Sequence, residues 1–179
     1  MTLKKPDHLT QSAVSGFNLR SPTLNEMQTI FKMGEDVWAS GQNEADYLAA
    51  CSSSKKYNCG NWHLLLNSAG NTVCSSISYE LPVIYGYKTI GIGSIATPKG
   101  WRKNGYALQL LTQLTQAYRE QQNTEIFILF SDIENSLYTT AGFISLPNVS
   151  EDARMMVNVT QRALPALLDF SRTHQVSYF

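Results

Sequence analysis

The sequence predicts an α/β fold: a central mixed sheet of six or seven strands with helices on both faces. Three observations carry that expectation. Ala107, Leu110, Leu111, Leu114, Ala117 and Tyr118 form a one-faced apolar stripe at helical spacing, marking a strong amphipathic helix. Two strand-like runs, Lys88 to Thr97 and Thr124 to Ser131, bracket that helix and make a strand–helix–strand crossover. Upstream, Trp62 to Leu66 and Thr72 to Glu80 flank Asn67 to Asn71, a glycine-containing hairpin loop.

The remaining elements follow in order. Residues 1–15 are polar and expected to be flexible, leaving a single domain over 16–179. Gly16 to Arg20 reads as a short first strand. Thr23 and Glu26 form a capping-box pattern ahead of Met27, Ile30, Phe31, Val37 and Trp38, whose spacing predicts one amphipathic helix. A second helix is expected from Asn43 to about Ser53, with Asn43 as cap and Asp46 in the first turn. A connection over Leu81 to Tyr87, containing Pro82 and Gly86, leads into the strand at Lys88. Gly91 and Gly93 inside that strand suggest a bulge or a close approach by another group. Thr124 to Ser131 is continuously apolar, as in a strand buried on both faces. A short helix over Glu134 to Thr140 stops at Gly142, placed for a left-handed cap. Phe143 to Ser145 and Ala153 to Thr160 are two closing strands, and Arg162 to Thr173 is helical with Pro165 restricting where it starts.

Bulk properties exclude several classes. With 179 residues and 43% apolar content, the chain can bury a core without metal or disulfide staples. A formal net charge of zero gives no global attraction to nucleic acid or to an acidic membrane. The longest aliphatic–aromatic run, Ile126 to Phe130, is too short to span a bilayer, and no secretory signal is visible at the start. Cys51, Cys59 and Cys74 lack paired C-x-x-C spacing, so no metal site is expected and reduced thiols in a cytoplasmic protein are the reading. One local asymmetry is informative. No Asp or Glu occurs from Leu81 to Arg119, where Lys88, Lys99, Arg102, Lys103 and Arg119 all lie, which suggests an anionic ligand.

The chemistry concentrates between Ile95 and Leu111, where a strand ends, a basic Pro/Gly loop follows and the long helix begins near Gly105. The first amides of a helix have no internal partner and sit at the positive end of its dipole, which suits phosphate. Arg102 and Lys103 add mobile positive charge at the same place. The loop is neither a Walker loop nor a dinucleotide G-x-G-x-x-G.

The pair Arg102-x-x-Gly105-x-Ala107 and Tyr138-x-x-x-Gly142-Phe143, in this order of elements, resembles the GNAT superfamily of N-acetyltransferases from about Phe17 to Thr160. Gly93 to Pro98 and Leu129 to Ile133 are similar to its lysine N-acetyltransferase-like branch. The resemblance implies a mostly antiparallel mixed sheet and transfer of an acetyl group from acetyl-CoA to a primary amine, a small molecule such as lysine or a polyamine or a peptide amine, within a ternary complex. It implies that backbone groups of Ile95, Ala96 and Thr97 pair with the pantetheine arm, and that amides of Arg102, Lys103, Asn104, Gly105, Tyr106 and Ala107 hold the pyrophosphate. Tyr138 would sit near the thioester sulfur. Many members carry Asn seven residues before that tyrosine; here the position is Ser131, a departure that touches a side-chain contact and leaves the backbone cradle intact. A catalytically silent CoA-binding module is the alternative.

The reaction sets further demands. An alkylammonium near pKa 10.4 costs roughly 4.6 kcal/mol to deprotonate at pH 7, so a base or a desolvating site is required. Glu80, at the end of the strand before the cofactor strand, is the candidate base, directly or through water; a solvated strand-end carboxylate is the competing reading. Tyr138 is the candidate acid for the departing thiolate, against the alternative of a core aromatic. His63 reads as a core or surface histidine. Tyr79, Tyr85 and Tyr87 could line an acceptor pocket or simply form strands. The C-terminal segment either covers the core or joins a partner in a homodimer.

Overall fold

The computed structural model describes residues 5, 7–14, 16–146, 154–174, 176 and 179. Its sheet has eight strands in the order β1-β2-β3-β4-β5-β6-β8-β7: β1 Ser12–Val14, β2 Phe17–Arg20, β3 Asn61–Leu66, β4 Thr72–Ile84, β5 Tyr87–Ala96, β6 Ile126–Phe130, β7 Ile144–Ser145 and β8 Met155–Val159. All neighbours are antiparallel except β5 and β6, the pair joined by the long helix. A parallel pair needs such a crossover, which is why the sheet is mixed there and nowhere else.

Helices α1 Met27–Lys32, α2 Glu35–Trp38, α3 Glu44–Ser53, α4 Lys55–Cys59 and α7 Leu164–Ser171 surround one face. Helix α5 Tyr106–Gln122 and the short α6 Ser136–Thr140 cover the other. Leu110, Leu111 and Leu114 of α5 are fully buried, each stabilising the fold by about 1.5–3 kcal/mol. Tyr118, at the foot of the same stripe, joins a polar seam inside the core: its hydroxyl lies 2.7 Å from Ser78 Oγ, which lies 2.7 Å from His63 Nε2.

Four departures from the sequence reading have local causes. Ser12–Val14, expected to be loose, is an edge strand on β2. The expected first helix is broken at Gly34, the cap of α2; a Cβ at Gly34 would fall 2.0 Å from the Trp38 ring, so the ring folds back over the bare glycine. Ahead of the break, the Glu26 carboxylate accepts from the Thr23 N–H at 2.7 Å, the expected reach-back of a capping box. The Leu81–Tyr87 connection is not a loop: β4 continues through Pro82 to Ile84, and Tyr85 and Gly86, both at positive φ, turn directly into β5. Helix α4 was not expected; Ser54 caps it by accepting from the Tyr57 N–H. The second helix, with Asn43 accepting from the Asp46 N–H at 3.0 Å, matches the expectation, as does the left-handed Gly142 after α6. Ala153, at the start of the expected last strand, lies outside the described residues.

Candidate active site

Strands β5 and β6 pair at Thr89/Ile126, Ile90/Phe127 and Gly91/Ile128, and there their ladder ends. Beyond it, β5 bulges: Gly93 opposes Ile77 and Ala96 opposes Ser75, one extra residue on the β5 side. Ser94 takes a left-handed φ of 46° in the bulge, a conformation costing an L-residue roughly 1–2 kcal/mol. The bulge bends β5 away from β6. The gap becomes a cavity of about 430 Å³ between Ile92–Thr97 on one side and Leu129 and Phe130 on the other. The cavity stands at the carboxyl ends of a parallel strand pair, where open α/β sheets bind ligands.

One end of the cavity is the start of α5. After a single turn at Lys99–Trp101, Lys103 (φ 65°) and Gly105 (φ 76°) reverse the chain into the helix. Only glycine takes that second geometry without steric cost. The first bond into α5 runs from the Gln109 N–H to the Gly105 carbonyl, 3.0 Å, so the amides of Tyr106, Ala107 and Leu108 precede it without helical partners. Asn104 Nδ2 donates to the Trp101 and Arg102 carbonyls at 3.0 and 3.1 Å and closes the loop behind them. Lys103, Gly105, Tyr106 and Ala107 all line the cavity.

Arg102 does not offer the mobile charge expected of it. Its guanidinium forms a two-pronged pair with Asp36, 2.6 and 2.8 Å, while Nε donates to the Thr97 carbonyl at 2.9 Å. The Arg102 pair lowers the Asp36 carboxyl below its ordinary value. It clamps α2 to the end of β5 and fixes one wall of the cavity.

Tyr138 also lines the cavity, 7% exposed. Burial, then the nearby Asp132 carboxylate and Cys74, push its phenol up to about 12, so it stays protonated throughout the neutral range. Three predicted site residues, Asn104, Ser131 and Glu80, do not line this cavity. Ser131 is turned inward: its hydroxyl donates to the Ile133 carbonyl and accepts from the Ile133 N–H at 3.3 Å, making a tight local turn. Glu80 opposes Ile90 in the β4–β5 ladder, on the face covered by α5. Tyr79, Tyr85 and Tyr87 are likewise absent from the cavity walls.

Sequence reasoning missed the carboxylate that does line the cavity, Asp132, and the rim formed by Val37 and Ile133, apolar side chains left 61% and 58% exposed. A signal was present: Asp132 lies two residues past the buried run of β6, just beyond the carboxyl end of a parallel strand. Among the described residues, no three His, Cys, Asp or Glu are grouped to hold a metal ion, and no helix is long and apolar enough to cross a membrane.

No protein-family model and no curated protein matches the sequence. Solved structures do match. An uncharacterized protein from Bacillus halodurans aligns over 95% of this chain and 100% of its own, with 14% identity and a TM-score of 0.63. A chimera of the Vibrio cholerae spermidine N-acetyltransferase aligns over 84% of this chain and 99% of its own, with 15% identity and a TM-score of 0.61. The ribosomal-protein-S5-alanine acetyltransferase of Vibrio fischeri aligns over 85% and 97%, with 10% identity and a TM-score of 0.57. At such identities the likeness speaks for architecture, and by that architecture the chain has the fold of the GNAT N-acetyltransferases.

Proposed function

We propose that the protein transfers an acetyl group from acetyl-CoA to a primary amine, both substrates bound at once. The observation that carries this reading is the cavity between splayed β5 and β6, lined both by the start of α5 with its bare amides and by a buried phenol. Its parts fit the donor. A diphosphate suits the N-terminal amides of α5 and Lys103; an extended amide-bearing arm suits the edge that β5 presents beyond Gly91; Val37 and Ile133 supply apolar cover. The acetyltransferases of this fold noted above are named for spermidine and for an alanine of a ribosomal protein, both amines.

In the reaction, the bound ammonium first gives up a proton to solvent. The neutral amine nitrogen then attacks the thioester carbonyl, a C–N bond forms, and the C–S bond breaks with its electron pair going to sulfur. The proton the nitrogen sheds on becoming an amide also passes to solvent. Tyr138 donates a hydrogen bond to that sulfur and keeps its proton: with the phenol near 12 and a thiol near 8.5, full transfer runs uphill by roughly 5 kcal/mol. The thiolate leaves without needing an acid at neutral pH, and the phenol's contribution is stabilisation of developing charge.

Calorimetry with CoA, followed by thiol release from acetyl-CoA over a panel of amines, tests the reading. Uptake of CoA and amine-dependent thiol release are expected. Absence of CoA uptake by folded protein overturns it; uptake with no turnover on any amine replaces it with a CoA-binding regulatory module.

A further inference from the structure

A second cavity of about 360 Å³ opens between α2, α3, α4 and the bulge of β5, and it shares Trp38, Ser94 and Asp132 with the first. Those three residues form the partition between the two. From the transferase reading above, and resting on it, we infer that the acetyl acceptor enters by this second cavity, as a small singly charged amine with an aromatic or apolar body whose ammonium is received by Asp132.

The walls support that class. Trp38, Tyr47 and Tyr57 supply three aromatic side chains, and none of them is loose. Trp38 rests on bare Gly34. The Tyr47 hydroxyl donates to the Phe31 carbonyl at 3.1 Å. Tyr57 stacks on Phe31 with centroids 5.8 Å apart and meets Trp62 edge-on at 5.1 Å. Fixed aromatic faces attract a cation and bury an apolar body at little entropic cost. Asp132 is the one carboxylate lining this cavity among the described residues. Its ion pair with Arg154 is 3.5 Å long between side chains 59% and 54% exposed, the kind of solvated contact an incoming ammonium displaces readily. A polyamine is a poor fit: one carboxylate answers one charge. The volume lies at the small end for ligand pockets, and the position of Asp132 on both cavities places an ammonium held there beside the first.

The test uses the full chain, saturating acetyl-CoA, and tyramine and spermidine as acceptors, followed by thiol release. The kcat/KM for tyramine is expected to exceed that for spermidine at least tenfold. Asp132→Asn should raise the tyramine KM about tenfold with a smaller change in kcat. Ala50→Trp places bulk in the second cavity from an exposed position on α3; it should cut tyramine turnover at least tenfold while CoA affinity, read by calorimetry, stays within twofold. Preference for spermidine, or an Ala50→Trp variant as active on tyramine as wild type, overturns this inference and leaves the transferase reading standing. Thiol release with no amine at all overturns both.

Discussion

Lowering the pH should destabilise this protein through one histidine before its carboxylates contribute. His63 is 1% exposed, with Nε2 against Ser78 Oγ and its ring edge-on to Tyr118. Burial, and secondarily the charge of His8, lower its pKa from 6.5 to about 3. The unfolded chain therefore binds more protons than the folded one between these values. Stability from the neutral imidazole is complete above pH 6.5 and is lost as the pH falls toward 3, with a slope of about 1.36 kcal/mol per pH unit. At pH 5 the loss is roughly 2 kcal/mol; at pH 3 it is about 4 kcal/mol. Urea unfolding at pH 7.5 and 5.0, on wild type and His63→Gln, isolates the effect, since the amide cannot titrate yet can accept from Ser78. Wild type should lose about 2 kcal/mol more than the variant between the two pH values. Equal losses, within about 0.5 kcal/mol, would refute the reasoning. Should the variant not fold, an imidazole NMR titration of wild type giving a pKa above about 5 refutes it equally.

Other outcomes follow from the site. Gly105→Ala has open space for its methyl but a φ of 76°; it should cost about 1 kcal/mol and weaken CoA binding several-fold, while Gly105→Asn, which tolerates that conformation, costs less. Asp36→Ala frees Arg102 from a half-exposed pair, so thermal stability should fall by less than about 1 kcal/mol while CoA affinity falls two- to fivefold as the cavity wall loosens. Tyr138→Phe should slow thiol release by about 10- to 100-fold at unchanged CoA affinity, and wild type should show no alkaline loss of rate from this phenol below pH 10, given its pKa of about 12.

The stripe from Leu110 to Tyr118, the buried run Ile126–Phe130 and the Asn67–Asn71 hairpin loop could all be read from residue spacing because each is a local periodicity. So could the start of α5: the glycine at 105 and the basic loop ahead of it are adjacent in the chain. Pro82 misled, since β4 carries it through to Ile84 with the ladder shifted around it. Gly91 was rightly suspected of a close approach, yet nothing nearby in sequence names the visitor: a Cβ there would fall 2.4 Å from the ring of Phe179, which also meets Tyr79 and Phe130 edge-on.

What the residues determine by themselves is the principal strands, the long helix and the unpartnered amides at its start, because hydrophobic period, caps and bare amides depend only on near neighbours in the chain. Which charges face the cavity was decided by tertiary structure. Arg102 meets Asp36, Glu80 turns to the α5 face, and Asp132 comes to the partition, each set by strand register and by the splay of β5 from β6. Register is a long-range choice: a one-residue shift would turn every such side chain to the opposite face.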